Sequence, residues 1–226
     1  DMDGILQTGT VIIDKKTYEL DTDGSLKDYT PNKKSSKKKS SGKSDTSDKS
    51  GTSTAKKSVA LTFDDGPSSF TDRLLDCLEE NNAKATFFMV GTEIASFPDE
   101  VKRMKKLGCE LGNHTYDHKD LATLSSDEIS SEIARVDEQL VNLTGEGASV
   151  VRPPYGSVND TVKSTVGTPM ILWSIDTLDW KTQDVESTVE EVMNNVKDGS
   201  IILMHDIFST SVDAAVSERI CRKNDG

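Results

Sequence analysis

From residue 59 onward the chain alternates between two kinds of segment. Short apolar runs at 59–63 (VALTF), 85–90 (ATFFMV), 109–112 (CELG), 149–151 (SVV), 170–174 (MILWS) and 200–204 (SIILM) read as strands. Between them lie helical stretches near 70–80, 98–107, 126–143, 158–165 and 186–197, with another at 211–222. The clearest is 126–143, where Ile129, Ile133, Val136, Leu140 and Leu143 recur at spacings of three and four and Ser126 stands ready as a cap. Strands alternating with helices build a parallel sheet or barrel, an α/β fold whose functional groups gather at the carboxyl ends of the strands. The chain stops soon after the last helix, at Asn224-Asp225-Gly226, so a closing strand is expected to be missing.

The segments before residue 58 have a different composition. Residues 31–58 hold nine Ser and nine Lys with no aromatic or large aliphatic residue. Such a stretch cannot bury enough surface to offset its ordering entropy, so 31–57 is expected to be a disordered linker. Within residues 1–30, Val11 to Ile13 and Thr17 to Leu20 are strand-like, with turn chemistry at Asp14-Lys15 and at Asp21 to Gly24. This predicts a short β-hairpin, similar to a remnant of a cell-wall-binding repeat. Residues 58–226 are then the catalytic-sized domain.

The net charge of −12 is unevenly spread, with +7 on residues 31–58 and −15 on residues 59–226. An acidic domain argues against nucleic acid as a partner, because phosphate binding needs basic grooves. No apolar stretch approaches the roughly 20 residues of a membrane span, so no transmembrane segment is expected in this chain. The chain opens at Asp1 without a basic-then-apolar leader, and is read as a fragment. Cys77, Cys109 and Cys221 lack CxxC spacing and read as buried thiols.

Five segments concentrate the reactive side chains. In TFDDGP (62–67) an apolar run ends in two adjacent carboxylates, Asp64 and Asp65, whose side chains on a strand would point to opposite sides and serve two jobs. In NHTYDH (113–118), His114 and His118 are four residues apart, and on a helical turn such imidazoles converge on one point suited to a divalent metal such as zinc. One carboxylate would complete an open, catalytic type of ligand set, with Asp117 and Asp120 as nearby spares. RPPYG (152–156) offers Arg152 to hold a carboxylate ionised, and a proline-stiffened loop whose Tyr155 N–H suits an oxyanion. WSIDTLDW (173–180) places Asp176, Asp179 and Trp180 just past a strand, Trp180 with a flat face for a sugar ring. In ILMHD (202–206), His205 ends an apolar strand and needs a partner if buried.

In order and spacing, TFDDGP, NHTYDH, RPPYG, DTLDW and LMH resemble the five motifs of the polysaccharide deacetylase family (carbohydrate esterase family 4, the NodB homology domain), over roughly 58–220. The resemblance implies a distorted (β/α) barrel of about seven strands, with its final strand absent here, and metal-dependent removal of acetyl groups from a sugar polymer. It also implies roles. Asp65, His114 and His118 would hold a divalent metal, zinc first and cobalt or another ion as substitutes. Asp64 would be the general base and Arg152 its anchor. Tyr155 would supply an N–H to the oxyanion, His205 would be the general acid tuned by Asp179, and Trp180 and Leu203 would shape the pocket for the acetyl methyl.

A hairpin and linker before such a domain favour N-acetylglucosamine residues of peptidoglycan as substrate, with chitin oligosaccharides or acetyl-xylan as alternatives and an extracellular or cell-surface location. Two rival readings are weaker. A non-catalytic glycan-binding domain on the same scaffold would have lost Asp64 or His205, and a phosphoester hydrolase would want more cations than Arg152 in these segments.

Overall fold

The structure, a computed structural model, describes residues 9–13, 16–20, 58–217 and 220. The expected linker at 31–57, the turns at Asp14-Lys15 and at Asp21 to Gly24, and Cys221 lie outside the described residues.

Strands β1 (Gly9–Ile13) and β2 (Lys16–Leu20) pair antiparallel, with Ile13 opposite Lys16 and Gly9 opposite Leu20. From residue 60 the order is β3 (Ala60–Asp64), α1 (Thr71–Glu80), β4 (Thr86–Met89), α2 (Gly91–Ile94), α3 (Pro98–Leu107), β5 (Glu110–Asn113), α4 (Ser126–Thr144), β6 (Val150–Val151), α5 (Asp160–Thr165), β7 (Ile175–Asp176), α6 (Asp179–Thr182), α7 (Val185–Asn195), β8 (Ile201–His205) and α8 (Ser209–Ala215). Six strands form one sheet in the order β6-β5-β4-β3-β8-β7, every pair parallel, so this is the expected α/β fold. The two-residue strands β6 and β7 are its edges, and among the described residues they do not pair with each other.

The face of the sheet that carries Phe63 with its register partners Phe87 and Met204 is apolar, and helices cover it. Phe63, Phe87, Met89, Leu111, Ile202 and Met204 pack against Leu74, Leu75 and Leu78 of α1, Met104 of α3, and Val136 and Leu140 of α4. Cys109 joins this buried core, whereas Cys77 is only partly buried; both are free thiols.

Three expectations need correction. The cap of α4 is Ser125, one residue earlier than expected, because Ser125 forms a reciprocal capping box with Glu128 that Ser126 is not spaced to make. The run 170–174 is not a strand: it makes one isolated bridge, Met170 with Val151, and the strand β7 starts only at Ile175. The physical reason lies in Arg152, whose Nε and Nη2 take the carbonyls of Ile171 and Leu172 at 3.0 and 2.9 Å, groups a ladder would otherwise use. The last helix, expected over 211–222, ends at Ala215 with Val216 as its cap, and two short helices, α2 and α6, lie in segments for which no element is expected.

The α4 stripe makes a sharp prediction. Leu140 is fully buried while its neighbour Val141 is 48% exposed. Leu140→Ala should cost about 2–5 kcal/mol and Val141→Ala under about 0.5 kcal/mol, read as shifts of the urea midpoint at unchanged slope.

Candidate active site

The strand register brings the reactive groups to one edge of the sheet. Asp64 is the last residue of β3 and His205 the last of β8, and the two are register partners on neighbouring parallel strands. β5 ends at Asn113, directly before His114, and β6 ends at Val151, directly before Arg152. All of them lie at carboxyl ends, where parallel sheets place their sites.

Asp65 leaves the strand with φ 73°, in the left-handed region. Its side chain therefore does not take the opposite face that strand alternation predicts, and both carboxylates of the motif face the same centre. Asp65 Oδ1 lies 3.4 Å from His114 Nε2 and 3.2 Å from His118 Nε2, and Asp64 Oδ2 lies 3.6 Å from His114 Nε2. One ligating atom each from Asp65, His114 and His118 can be chosen so that all fall within 4.8 Å of one another. The two histidines converge without a helix: residues 114–118 form a loop, with left-handed backbone at Thr115 (φ 68°) and His118 (φ 54°).

The donor set fits a divalent cation. His114 Nδ1 is 2.6 Å from the carbonyl oxygen of Arg152, which only accepts, so Nδ1 carries the proton and a neutral imidazole turns the lone pair of Nε2 to the centre. Asp65 Oδ1 is buried without a hydrogen-bond donor. Burial alone would raise the Asp65 carboxyl, but the imidazoles of His114 and His118, and His205 farther away, hold it well below the usual carboxylate range. Two nitrogens and a carboxylate with open positions remaining suit a catalytic rather than a closed structural ion. The spares are used elsewhere: Asp117 pairs with Lys119 at 3.0 Å, and Asp120 accepts from the Ala122 N–H at 3.0 Å.

Arg152 is completely buried. Its Nη1 donates to Asp64 Oδ1 at 2.6 Å and to the Thr62 hydroxyl at 2.8 Å, and its guanidinium lies 4.0 Å from the Phe88 ring centre. Thr62 is missing from the sequence-based set, although its place two residues before Asp64 on one strand puts both on the same face. Tyr155 follows with φ 61°, its ring edge-on to His118 at 4.9 Å and its side chain 66% exposed.

On the other side, Asp179 is buried and binds His205 twice: Oδ1 to Nδ1 and Oδ2 to the backbone N–H, both at 2.8 Å. Burial of the ring would lower the His205 pKa, but Asp179, helped by Asp64 and Asp65, raises it to about 9. Asp176 instead ends β7 and accepts from the Leu178 N–H at 2.9 Å. Trp180 stands half-exposed on α6, and Leu203 is buried two residues before His205 on β8. Gly66 is required where it stands, since a Cβ there would collide with the buried carboxyl of Asp206. Burial raises that carboxyl to about 7.

The polysaccharide deacetylase family model matches residues 51–168, just over half of the chain, and the chain belongs to that family. It is 42% identical over 156 residues to the peptidoglycan-N-acetylglucosamine deacetylase PgdA of Listeria monocytogenes, covering 69% of this chain and 34% of that protein. It is 39% identical over 186 residues to a bifunctional xylanase/deacetylase of Pseudobutyrivibrio xylanivorans, covering 80% of this chain and 31% of that one. The solved structure of the peptidoglycan deacetylase PdaC from Bacillus subtilis superposes with a TM-score of 0.69 at 40% identity, over 71% of this chain and 80% of that one. The chain spans about a third of the length of these two curated relatives.

Folding makes His205 take up a proton, so the stability this supplies is complete below about pH 6.5 and is lost as pH rises through about 9. In metal-free protein, Asp179→Asn should move the His205 titration, followed by its ring-proton NMR shift, down toward 6.5. It should also flatten the loss of stability across that interval.

Proposed function

We propose that residues 58–226 form a metal-dependent hydrolase that removes acetyl groups from N-acetylglucosamine residues of a polysaccharide, with peptidoglycan as the substrate. The observation that carries this reading is the convergence of Asp65, His114 and His118, flanked by an Arg-held Asp64 and an Asp-held His205. Membership of the family supports it, as do relatives named for peptidoglycan deacetylation. An extracellular or cell-surface location follows from such a substrate.

Asp65, His114 and His118 would hold the ion, zinc by its preference for imidazole nitrogen with carboxylate oxygen. When bound, a divalent ion supplies Lewis-acid polarisation of the acetyl carbonyl and makes water acidic enough to attack near neutral pH. The remaining work falls to the chain. Arg152 ties down one oxygen of Asp64 and leaves the other facing the centre, where it takes the proton of the attacking water as that water adds to the carbonyl carbon. The Tyr155 N–H donates to the oxygen that gains negative charge. His205, held protonated by Asp179, gives its proton to the nitrogen as the carbon–nitrogen bond breaks, leaving acetate and a free amine. Trp180 offers a flat face to the sugar, and Leu203 lines the space for the methyl group.

Acetate release from peptidoglycan, chitin oligosaccharides and acetyl-xylan, measured side by side, tests the reading. Activity should be greatest on peptidoglycan, vanish with a chelator and return with added zinc. No acetate from any of the three would mean a glycan-binding scaffold instead. His205→Ala and Asp64→Asn should each lower kcat by about 10²–10⁴-fold, and His205→Ala keeping more than about a tenth of wild-type turnover would remove the acid role.

A further inference from the structure

Among the described residues, one buried acid lies outside the five motif segments. Glu132 falls within the apolar stripe of α4, between Ile129 and Val136, and is only 4% exposed. An unpaired carboxylate there would carry a heavy desolvation cost. Its partners all belong to the loop that carries His118. Oε2 accepts from the consecutive N–H groups of Tyr116 and Asp117, both at 2.9 Å, and Oε1 takes the Lys119 ammonium at 2.9 Å. The carboxylate thus grips the chain immediately before and immediately after His118, whose own backbone sits in the left-handed region. One turn along α4, Arg135 lies 3.2 Å from the Tyr116 ring centre. Arg135 also pairs loosely with Asp117, Nη1 to Oδ2 at 3.8 Å, whereas the tie from α4 through Asn113 to the Ile133 carbonyl and Asp137 holds the strand end before His114 and does not reach residues 116–119.

We propose that Glu132 is a positioning residue for the metal centre, fixing the 116–119 turn so that His118 is presented to the ion. This rests on the metal-binding reading above. A tie this direct to a ligand-bearing turn belongs with the outer partners whose loss costs about 10–100-fold in metal affinity.

The test is zinc binding to metal-stripped protein, measured by competition with a chelating dye. Glu132→Leu removes the acceptor while supplying an apolar side chain to the stripe, so it should fold. Glu132→Gln keeps an oxygen able to accept from both N–H groups. Expected are a loss of about 10–100-fold in zinc affinity for Glu132→Leu, affinity close to wild type for Glu132→Gln, and native near-ultraviolet circular dichroism for both without metal. Equal affinity of wild type and Glu132→Leu would overturn the proposal, as would an equal loss in both variants. A Glu132→Leu protein that does not fold leaves Glu132→Gln to decide, where a loss as large as 10-fold counts against the acceptor geometry. Absence of zinc binding by the wild-type chain would bring down the metal-binding reading itself, and this proposal with it.

Discussion

The site is organised around one buried cation. Arg152 sits in the protein with no exposed surface, and a guanidinium in that position is tolerable only if its donors are matched. They are matched by Asp64, the Thr62 hydroxyl and the carbonyls of Ile171 and Leu172, with the Phe88 ring against its face. Each partner has a consequence. Asp64 is oriented with one oxygen bound and one free. The Thr62 hydroxyl donates in turn to the Ile202 carbonyl at 2.7 Å, linking the pair to β8. The carbonyls of Ile171 and Leu172 serve the charge, while the Ile171 N–H still bonds the Val151 carbonyl at 2.9 Å. The Arg152 main chain also acts, because its carbonyl selects the His114 tautomer. A single residue thereby sets both a candidate base and a candidate ligand.

The second constraint is backbone strain. Seven non-glycine residues among the described ones have positive φ, and five of them, Asp65, Thr115, His118, Tyr155 and Leu178, lie within the motif segments. Each costs on the order of 1–3 kcal/mol and persists only where the surroundings over-determine it. The surroundings here are the aligned strand ends and the grip of α4 on the 113–119 loop. Strain in these loops turns consecutive side chains toward one point, which regular strand or helix geometry would have separated.

Electrostatics follow from that convergence. Asp64 and Asp65 are adjacent acids in a domain that is already strongly acidic, and they are accommodated by different partners: a guanidinium for one and imidazoles for the other. The same two acids add to the effect of Asp179 on His205, so the imidazole on the far flank stays charged.

Much of this could be read from the chain alone. Short apolar runs located five of the six sheet strands, and spacings of three and four located the α4 stripe, to within a residue or two, and the five motif segments contained every residue that meets at the sheet edge. Such signals are local, so a linear pattern carries them. Thr62 was legible in principle, from its spacing to Asp64, while Glu132 could be noticed only as a polar interruption of an apolar stripe. What the tertiary structure alone decided was the use of residues whose partners are remote in sequence. The 170–174 run has strand composition, yet becomes a collar for a guanidinium about twenty residues earlier. Asp65 and His118 reach the centre through left-handed backbone that composition does not encode, because the energy that holds such conformations comes from packing between β3, β5, β8 and α4 rather than from the residues themselves.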